Sequence, residues 1–264
     1  MSGLDELASL AERAATVVAA HLRNSVGRSD LEIGTKTTDT DLVTDVDRAA
    51  EDLLVATILG ARPHDGMLGE EGTAVSGTTG VEWIVDPLDG TTNFVYGHPG
   101  FSVSIAAHVD GTPAVGVVAD VMAEELFVAR TGHGATRNGR PIRCAPARPL
   151  DQALAATGFG YDPERRRQQA EVLTRVLPRL RDIRRMGGAA VDLCSVACGR
   201  VDVYFERGLQ PWDIAAGSII ATEAGAWVGD LTGGPPSDRY CVAAPPDLFD
   251  VLVALLDGAD GSPP

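Results

Sequence analysis

The stretch Trp83-Ile84-Val85-Asp86-Pro87-Leu88-Asp89-Gly90-Thr91-Thr92-Asn93-Phe94 decides how this chain is read. The apolar run Trp83 to Val85 predicts the end of a buried strand. Pro87 has no amide donor, so the strand is expected to stop there and not to continue as a central ladder. Asp86 and Asp89 flank the break, and the carbonyl of Leu88 is free to turn toward the same point. Asp89-Gly90-Thr91-Thr92 predicts a helix start, with Asp89 as the capping carboxylate and Gly90 letting another group approach the backbone. Helix starts leave amides unpaired and carry positive partial charge, which suits a phosphate. One short segment therefore offers oxygen ligands for a hard cation and, beside them, donors for an anion. Two carboxylates in one site raise each other's pKa unless a cation sits between them. An all-oxygen ligand set fits Mg2+ or Mn2+ better than Zn2+. The competing reading is an Asp-Pro turn followed by an ordinary capped helix, so the rest of the chain has to decide.

Upstream, Leu4 to Leu22 has helical spacing, and Thr44 is a good N-cap for a second helix. Asp45 and Asp47 fall in the first turn of that helix, where carboxylates suit the dipole. Asp41, Asp45 and Asp47 crowd into seven residues close to Lys36, which singles out Asp47. Gly69-Glu70-Glu71-Gly72 follows a short apolar run and places Glu70 at a strand end. Residues 72–82 are expected to be a loop. Downstream, 101–129 alternates as an antiparallel meander with Asp110-Gly111 as a hairpin turn. Around Pro149 the pattern changes to alternating helix and strand, which predicts an N-terminal lobe over 1–149 and a C-terminal lobe over 150–264. Leu180 to Met186 reads as a strand, with Arg184 on the face of Leu180 and Asp182 and with Arg181 and Arg185 on the other. Gly187-Gly188 opens a helix from Ala189, and Val201 to Glu206 is a strand. Pro211-Trp212-Asp213 starts a helix toward Glu223, where Asp213 could act simply as a cap. A last amphipathic helix covers Asp247 to Leu256, with a frayed Gly/Ser/Pro tail after it.

At 264 residues, with 44% apolar and 22% charged residues, the composition is that of a globular protein with a substantial core. The net charge of −15 argues against sequence-independent nucleic-acid binding, which needs a basic face. It leaves phosphate substrates open, because a bound metal inverts the local field. Cys144, Cys194, Cys198 and Cys241 form neither a zinc spacing nor a disulfide framework. No signal-peptide layout or membrane-length apolar run is present, so a cytoplasmic protein is expected.

Glu70, Asp86, Asp89 and Asp213 together suggest one acidic pocket beside the Thr91 helix start. Here the sequence resembles the inositol monophosphatase family of Mg2+-dependent phosphomonoesterases. The resemblance rests on Gly69-Glu70-Glu71, Trp83 through Phe94 and Trp212-Asp213-Ile214-Ala215-Ala216-Gly217. It extends to Asp41 through Asp47, Arg184 through Val191 and Thr222 through Ala226. It implies an α/β (α+β) fold, a layered αβαβα sandwich with an antiparallel meander lobe and a mixed C-terminal lobe, assembled as a homodimer. It also implies two or three Mg2+ per site, replaceable by Mn2+, with Glu70, Asp86 and the Leu88 carbonyl on one ion and Asp86, Asp89 and Asp213 on another. Catalysis would fall to Thr91, with Glu70 or Asp47 behind it. Substrate contacts would come from Glu70, Leu88, Asp89, Gly90, Thr91, Arg184, Gly188, Ala189, Glu206 and Asp213. The expected substrate is myo-inositol monophosphate. The alternatives are histidinol phosphate, fructose 1,6-bisphosphate, or a non-catalytic metal-binding regulatory role.

Overall fold

The computed structural model describes residues 3–260; the terminal Gly/Ser/Pro residues 261–264 lie outside them. The chain opens with α1 (Gly3–Ser25), the short strands β1 (Ile33–Thr35) and β2 (Leu42–Thr44), and α2 (Asp45–Ala61). β3 (Gly66–Gly69), β4 (Ala74–Val75) and β5 (Val81–Asp89) lead to a six-residue helix, α3 (Thr91–Tyr96). The meander follows as β6 (Ser102–Val109), β7 (Thr112–Asp120), β8 (Glu125–Arg130), β9 (Ala135–Arg137) and β10 (Arg140–Ile142). Then come β11 (Leu154–Thr157), α4 (Pro163–Val176), β12 (Asp182–Arg184), α5 (Ala189–Ala197) and β13 (Val203–Glu206). The chain finishes with α6 (Pro211–Glu223), β14 (Trp227–Gly229), β15 (Cys241–Ala244) and α7 (Pro246–Asp260).

Eight strands form one sheet in the order β10-β9-β8-β7-β6-β5-β3-β4, and five form a second in the order β12-β11-β13-β15-β14. Side-chain alternation explains the stacking. Trp83 and Val85 face a core shared with α1 and α2, whereas Ile84 faces the opposite core, shared with α5 and α6. On the smaller sheet Tyr204 joins that middle core, while Val203 and Phe205 face an outer core with α4 and α7. Three apolar cores between five layers make the αβαβα sandwich. The middle layer packs closely: a Cβ added at Gly116 on β7 would stand 2.6 Å from the Ala216 carbonyl on α6. Helix and sheet meet there through a missing side chain.

The central stretch departs from expectation at Pro87. β5 runs on to Asp89, because the ladder slips instead of ending: Asp86 pairs with Ser104 and Asp89 with Ser102, with a bulge between them. The bulge takes Pro87 and Leu88 out of register, so the missing amide costs no ladder bond. Asp89 is therefore a strand residue and not the cap of α3. That position belongs to Gly90, left-handed at φ 95°, without a side-chain cap. The expected 72–82 loop contains β4 and the first residues of β5, and the 180–186 strand shortens to Asp182–Arg184.

Candidate active site

The end of β3, the bulged end of β5 and the starts of α5 and α6 converge on one cavity of about 850 Å3, with Asp47 of α2 behind Thr91 and outside its lining. Glu70 follows β3, with its amide on the Val85 carbonyl of the neighbouring strand (3.3 Å). Asp86 accepts from the Leu88 amide (2.9 Å), which folds the bulge over its own carboxylate. Asp89 accepts from the Ala190 amide at the start of α5 (2.8 Å). Gly188 has to be small there, because a Cβ would meet Asp89 Oδ2 at 2.6 Å. Asp213 accepts from the Gln210 amide (2.6 Å) and so caps α6 as it faces the cavity. Thr91 Oγ1 lies 3.0 Å from Asp47 Oδ1 and 3.2 Å from the Leu88 carbonyl, with Thr91 and Asp47 both buried. Asp47 is held in turn by Thr44, whose amide donates to it (2.8 Å) in the capping box of α2.

The electrostatics are dominated by negative charge out of water. Asp86 is pushed well above the usual carboxylate range, first by burial and then by Glu70, Asp89 and Asp213. Burial and neighbouring charge lift Asp89 to about 6, although its bonds to the start of α5 oppose the rise. Asp213 is raised for the same reasons. Burial raises Glu206 at the end of β13 to about 7 against a hydrogen bond from Tyr204 Oη (2.9 Å). Lys36 answers part of this charge: its ammonium bonds Glu70 (2.9 Å) and Glu71, whose carboxylates keep it protonated despite burial.

A second cavity, of about 820 Å3, lies beyond Leu209 and Gln210. Its walls are largely apolar (Ile84, Ile214, Ile219 and Val228 among them), and of its two acidic residues, Glu223 and Asp238, the first is taken by the Gly132 and Gly134 amides, so the carboxylate cluster belongs to the first cavity.

Comparison with known proteins agrees with this geometry. The profile of the inositol monophosphatase family matches residues 3–259. The chain belongs to that family. The inositol-1-monophosphatase SuhB of Mycobacterium tuberculosis is 43% identical over 98% of this chain and 96% of its own length. The Nus factor SuhB of Escherichia coli is 46% identical over 74% and 73%. The crystal structure of the extragenic suppressor protein suhB from Bartonella henselae superposes with a TM-score of 0.90 at 36% identity, covering 95% of this chain and 98% of that one. The chain is thus an enzyme, a phosphatase of the inositol monophosphatase family.

The donor set suits the metal chemistry of this family. Among the described residues no three His, Cys, Asp or Glu side chains already surround an ion-sized point. The carboxylates are instead turned to protein donors: Glu70 to Lys36, Asp89 to Ala190 and Asp213 to Gln210. Glu70, Asp86, Asp89 and Asp213 nevertheless offer only oxygen donors, their crowding disfavours the charge on Asp86 and Asp213, and a divalent cation relieves that repulsion.

Of the anticipated contacts, Leu88, Gly90, Thr91, Ala189 and Glu206 line the cavity with the carboxylates. Arg184 does not. It pairs with Asp182 on the exposed edge of β12 (2.6 Å). Arg185 lines the cavity from just past the end of β12, so the expected alternation over 180–186 stops short of it. Lys36, Phe159 and Tyr161 were missed. Lys36 carried a signal, a lone cation beside an aspartate cluster; the 159–161 loop reaches the site only through tertiary folding. Thr40 Oγ1 donates to the Tyr161 carbonyl (3.0 Å), tying the segment between β1 and β2 across the cavity.

Proposed function

We propose that the chain is a Mg2+-dependent phosphomonoesterase that hydrolyses myo-inositol monophosphate to inositol and phosphate. The observation that carries this reading is the Thr91–Asp47 pair set against four carboxylates from three separate elements. A protein that only trapped metal would need the carboxylates but no oriented hydroxyl. Glu70, Asp86 and the Leu88 carbonyl would hold one ion, and Asp86, Asp89 and Asp213 a second. Bound there, the ions supply acidified water and neutralise charge on the phosphoryl group. With its proton on Asp47 Oδ1, the Thr91 hydroxyl keeps its lone pairs free to accept from the attacking water and aim it at phosphorus. Glu70 is engaged by Lys36, which favours Asp47 as the partner of Thr91. The amides of Gly90 and Thr91 would take phosphate oxygens. Glu206, held by Tyr204, would accept from the inositol hydroxyls.

The test is phosphate release from myo-inositol 1-phosphate, histidinol phosphate and fructose 1,6-bisphosphate, with Mg2+, with Mn2+ and in excess EDTA. Release that needs the metal, with the inositol ester turned over efficiently, is expected; full turnover in EDTA overturns the reading. The same proposal carries a homodimer and a cytoplasmic setting, checked by sedimentation and by cell fractionation. Among the described residues, no helix is long and apolar enough to cross a membrane. A second reading, that the chain also serves as a Nus factor, draws on the name of the E. coli relative. That role would survive a Thr91→Ala substitution that cuts phosphatase activity.

A further inference from the structure

One loop touches both ends of the proposed substrate's path. The segment between β11 and α4 begins at Gly158, where a Cβ would press into the Glu206 carboxylate. Three residues on, the phenol of Tyr161 is within hydrogen-bonding reach of Thr92 in the first turn of α3. The loop thus runs from the proposed polyol contact to the helix start proposed for phosphate. Phe159, Gly160 and Tyr161 all line the cavity on the way. Asp89 and Arg185 act on the Tyr161 phenol, which puts it beside the site. Tyr161 is 36% exposed while Asp89 and Thr91 are buried, so its ring stands at the mouth.

This wall is built and not merely adjacent. The Gly160 amide donates to Gln169 on α4 (2.9 Å), and Arg166 donates to the Gly160 and Tyr161 carbonyls (3.0 and 3.1 Å). Thr40 donates to the same Tyr161 carbonyl (3.0 Å), and Asp162 caps α4 just beyond it (2.8 Å). The Tyr161 backbone is therefore held from α4 and from the segment after β1, and its side-chain tip from α3. A ring fixed at both ends has little rotamer freedom left to lose when a ligand packs on it. Aromatic residues make up only 5% of the chain, yet Phe159, Tyr161 and, from α6, Trp212 line this one cavity. Carboxylates and amides can serve the metal, the phosphate and the hydroxyls of an ester, but none of them gives its carbon skeleton an apolar surface.

We propose that Tyr161 is a specificity-determining residue: the face of its ring packs on the carbon ring of a cyclic polyol phosphomonoester held between the α3 start and Glu206. A six-membered polyol carries most of its hydroxyls at the rim and C–H groups on its faces. An aromatic face removes those C–H groups from water and attracts them electrostatically. An open-chain ester presents no such face. This rests on the phosphomonoesterase reading and names the substrate class of the same site.

Two esters of secondary alcohols test it, myo-inositol 1-phosphate with a ring and glycerol 2-phosphate without one. With Mg2+, Tyr161→Ala is expected to lower kcat/KM for the inositol ester about tenfold more than for the glycerol ester, mostly through KM, the scale of one stacked aromatic contact. Tyr161→Phe, which keeps the ring and drops the bond to Thr92, should retain most of the preference. Equal losses on the two esters in the alanine variant, or a phenylalanine variant that loses as much preference as alanine, overturns the assignment. If neither ester is hydrolysed, calorimetric titration of both into wild type and Tyr161→Ala in the same buffer decides instead. Tighter binding of the inositol ester that alanine abolishes then supports the role of Tyr161 and overturns only the phosphatase reading. Equal or undetectable binding, or a preference that alanine leaves intact, overturns the role of Tyr161 too.

Discussion

At the residue scale, the site depends on side chains whose partners settle their role. Thr91 is the clearest. Its hydroxyl touches Asp47 and the Leu88 carbonyl, and it bonds none of the carboxylates proposed to hold metal. Thr91→Ala should therefore leave Mg2+ affinity nearly intact and cut kcat by about 10²-fold, the scale for losing a positioned orienting group. Thr91→Ser should recover much of the loss. The check is kcat beside a Mg2+ titration for the three proteins, and near-wild-type kcat in alanine would end the proposed role. Gly158 gives a second test at this scale. A Cβ there would press into the Glu206 carboxylate, the mobile end of a side chain, so Gly158→Ala should fold normally and displace Glu206. KM for inositol 1-phosphate should rise more than KM for an aryl phosphate; equal effects would remove Glu206 from the polyol contact.

At the scale of elements, what matters is how helices and strands are tied before the site exists. Asp65, between α2 and β3, is buried and gathers Arg62 from the end of α2, Thr79 Oγ1 (2.6 Å) and the Trp83 indole on β5 (2.9 Å). Burial works against its charge, but those three donors win and hold the carboxyl below its usual range. A depressed folded-state pKa stabilises the fold fully above the unfolded value and is lost as pH falls through the folded one. Asp65→Asn should therefore cost about 1–3 kcal/mol near neutral pH, as expected for a charged hydrogen-bond acceptor. The gap in melting temperature from wild type should stay constant above about pH 4 and close below it. A gap independent of pH down to acid unfolding would show that the charge of Asp65 contributes nothing.

At the scale of the whole molecule, the acidic site works against the fold that builds it. Charged Asp213 is disfavoured by burial and by Asp89 and Glu70, yet its role as cap needs only an acceptor oxygen. Asp213→Asn keeps that acceptor and removes a charge, so in EDTA its melting temperature should equal or exceed that of wild type. In Mg2+ the order should reverse. A ligand at 100 times its Kd stabilises wild type by about 2.7 kcal/mol, and the variant should lose most of that gain together with turnover. Equal Mg2+-induced shifts in the two proteins would take Asp213 out of the metal site.

Much of this protein is settled by short-range pattern. The capped start of α2 at Thr44, the start of α6 at Pro211 and the alternation that assigns Trp83 and Ile84 to opposite cores all follow from neighbours a few residues apart. So does membership of the family, because its motifs are contiguous. What only the tertiary structure decided involves groups far apart in the chain. Asp89 looked like a cap because Gly90-Thr91-Thr92 follows it, but the ladder with β6 held it in the strand and an amide 101 residues away took its carboxylate. Thr91 bonds Asp47, 44 residues away, while Glu70 is taken by Lys36 from the segment after β1. Arg185 and not Arg184 lines the cavity because β12 ends at Arg184, paired with Asp182 on its exposed edge, and Arg185 falls in the segment that leads into α5. Periodicity assigns faces only as far as a strand runs, and where a strand ends depends on what pairs with it in the fold.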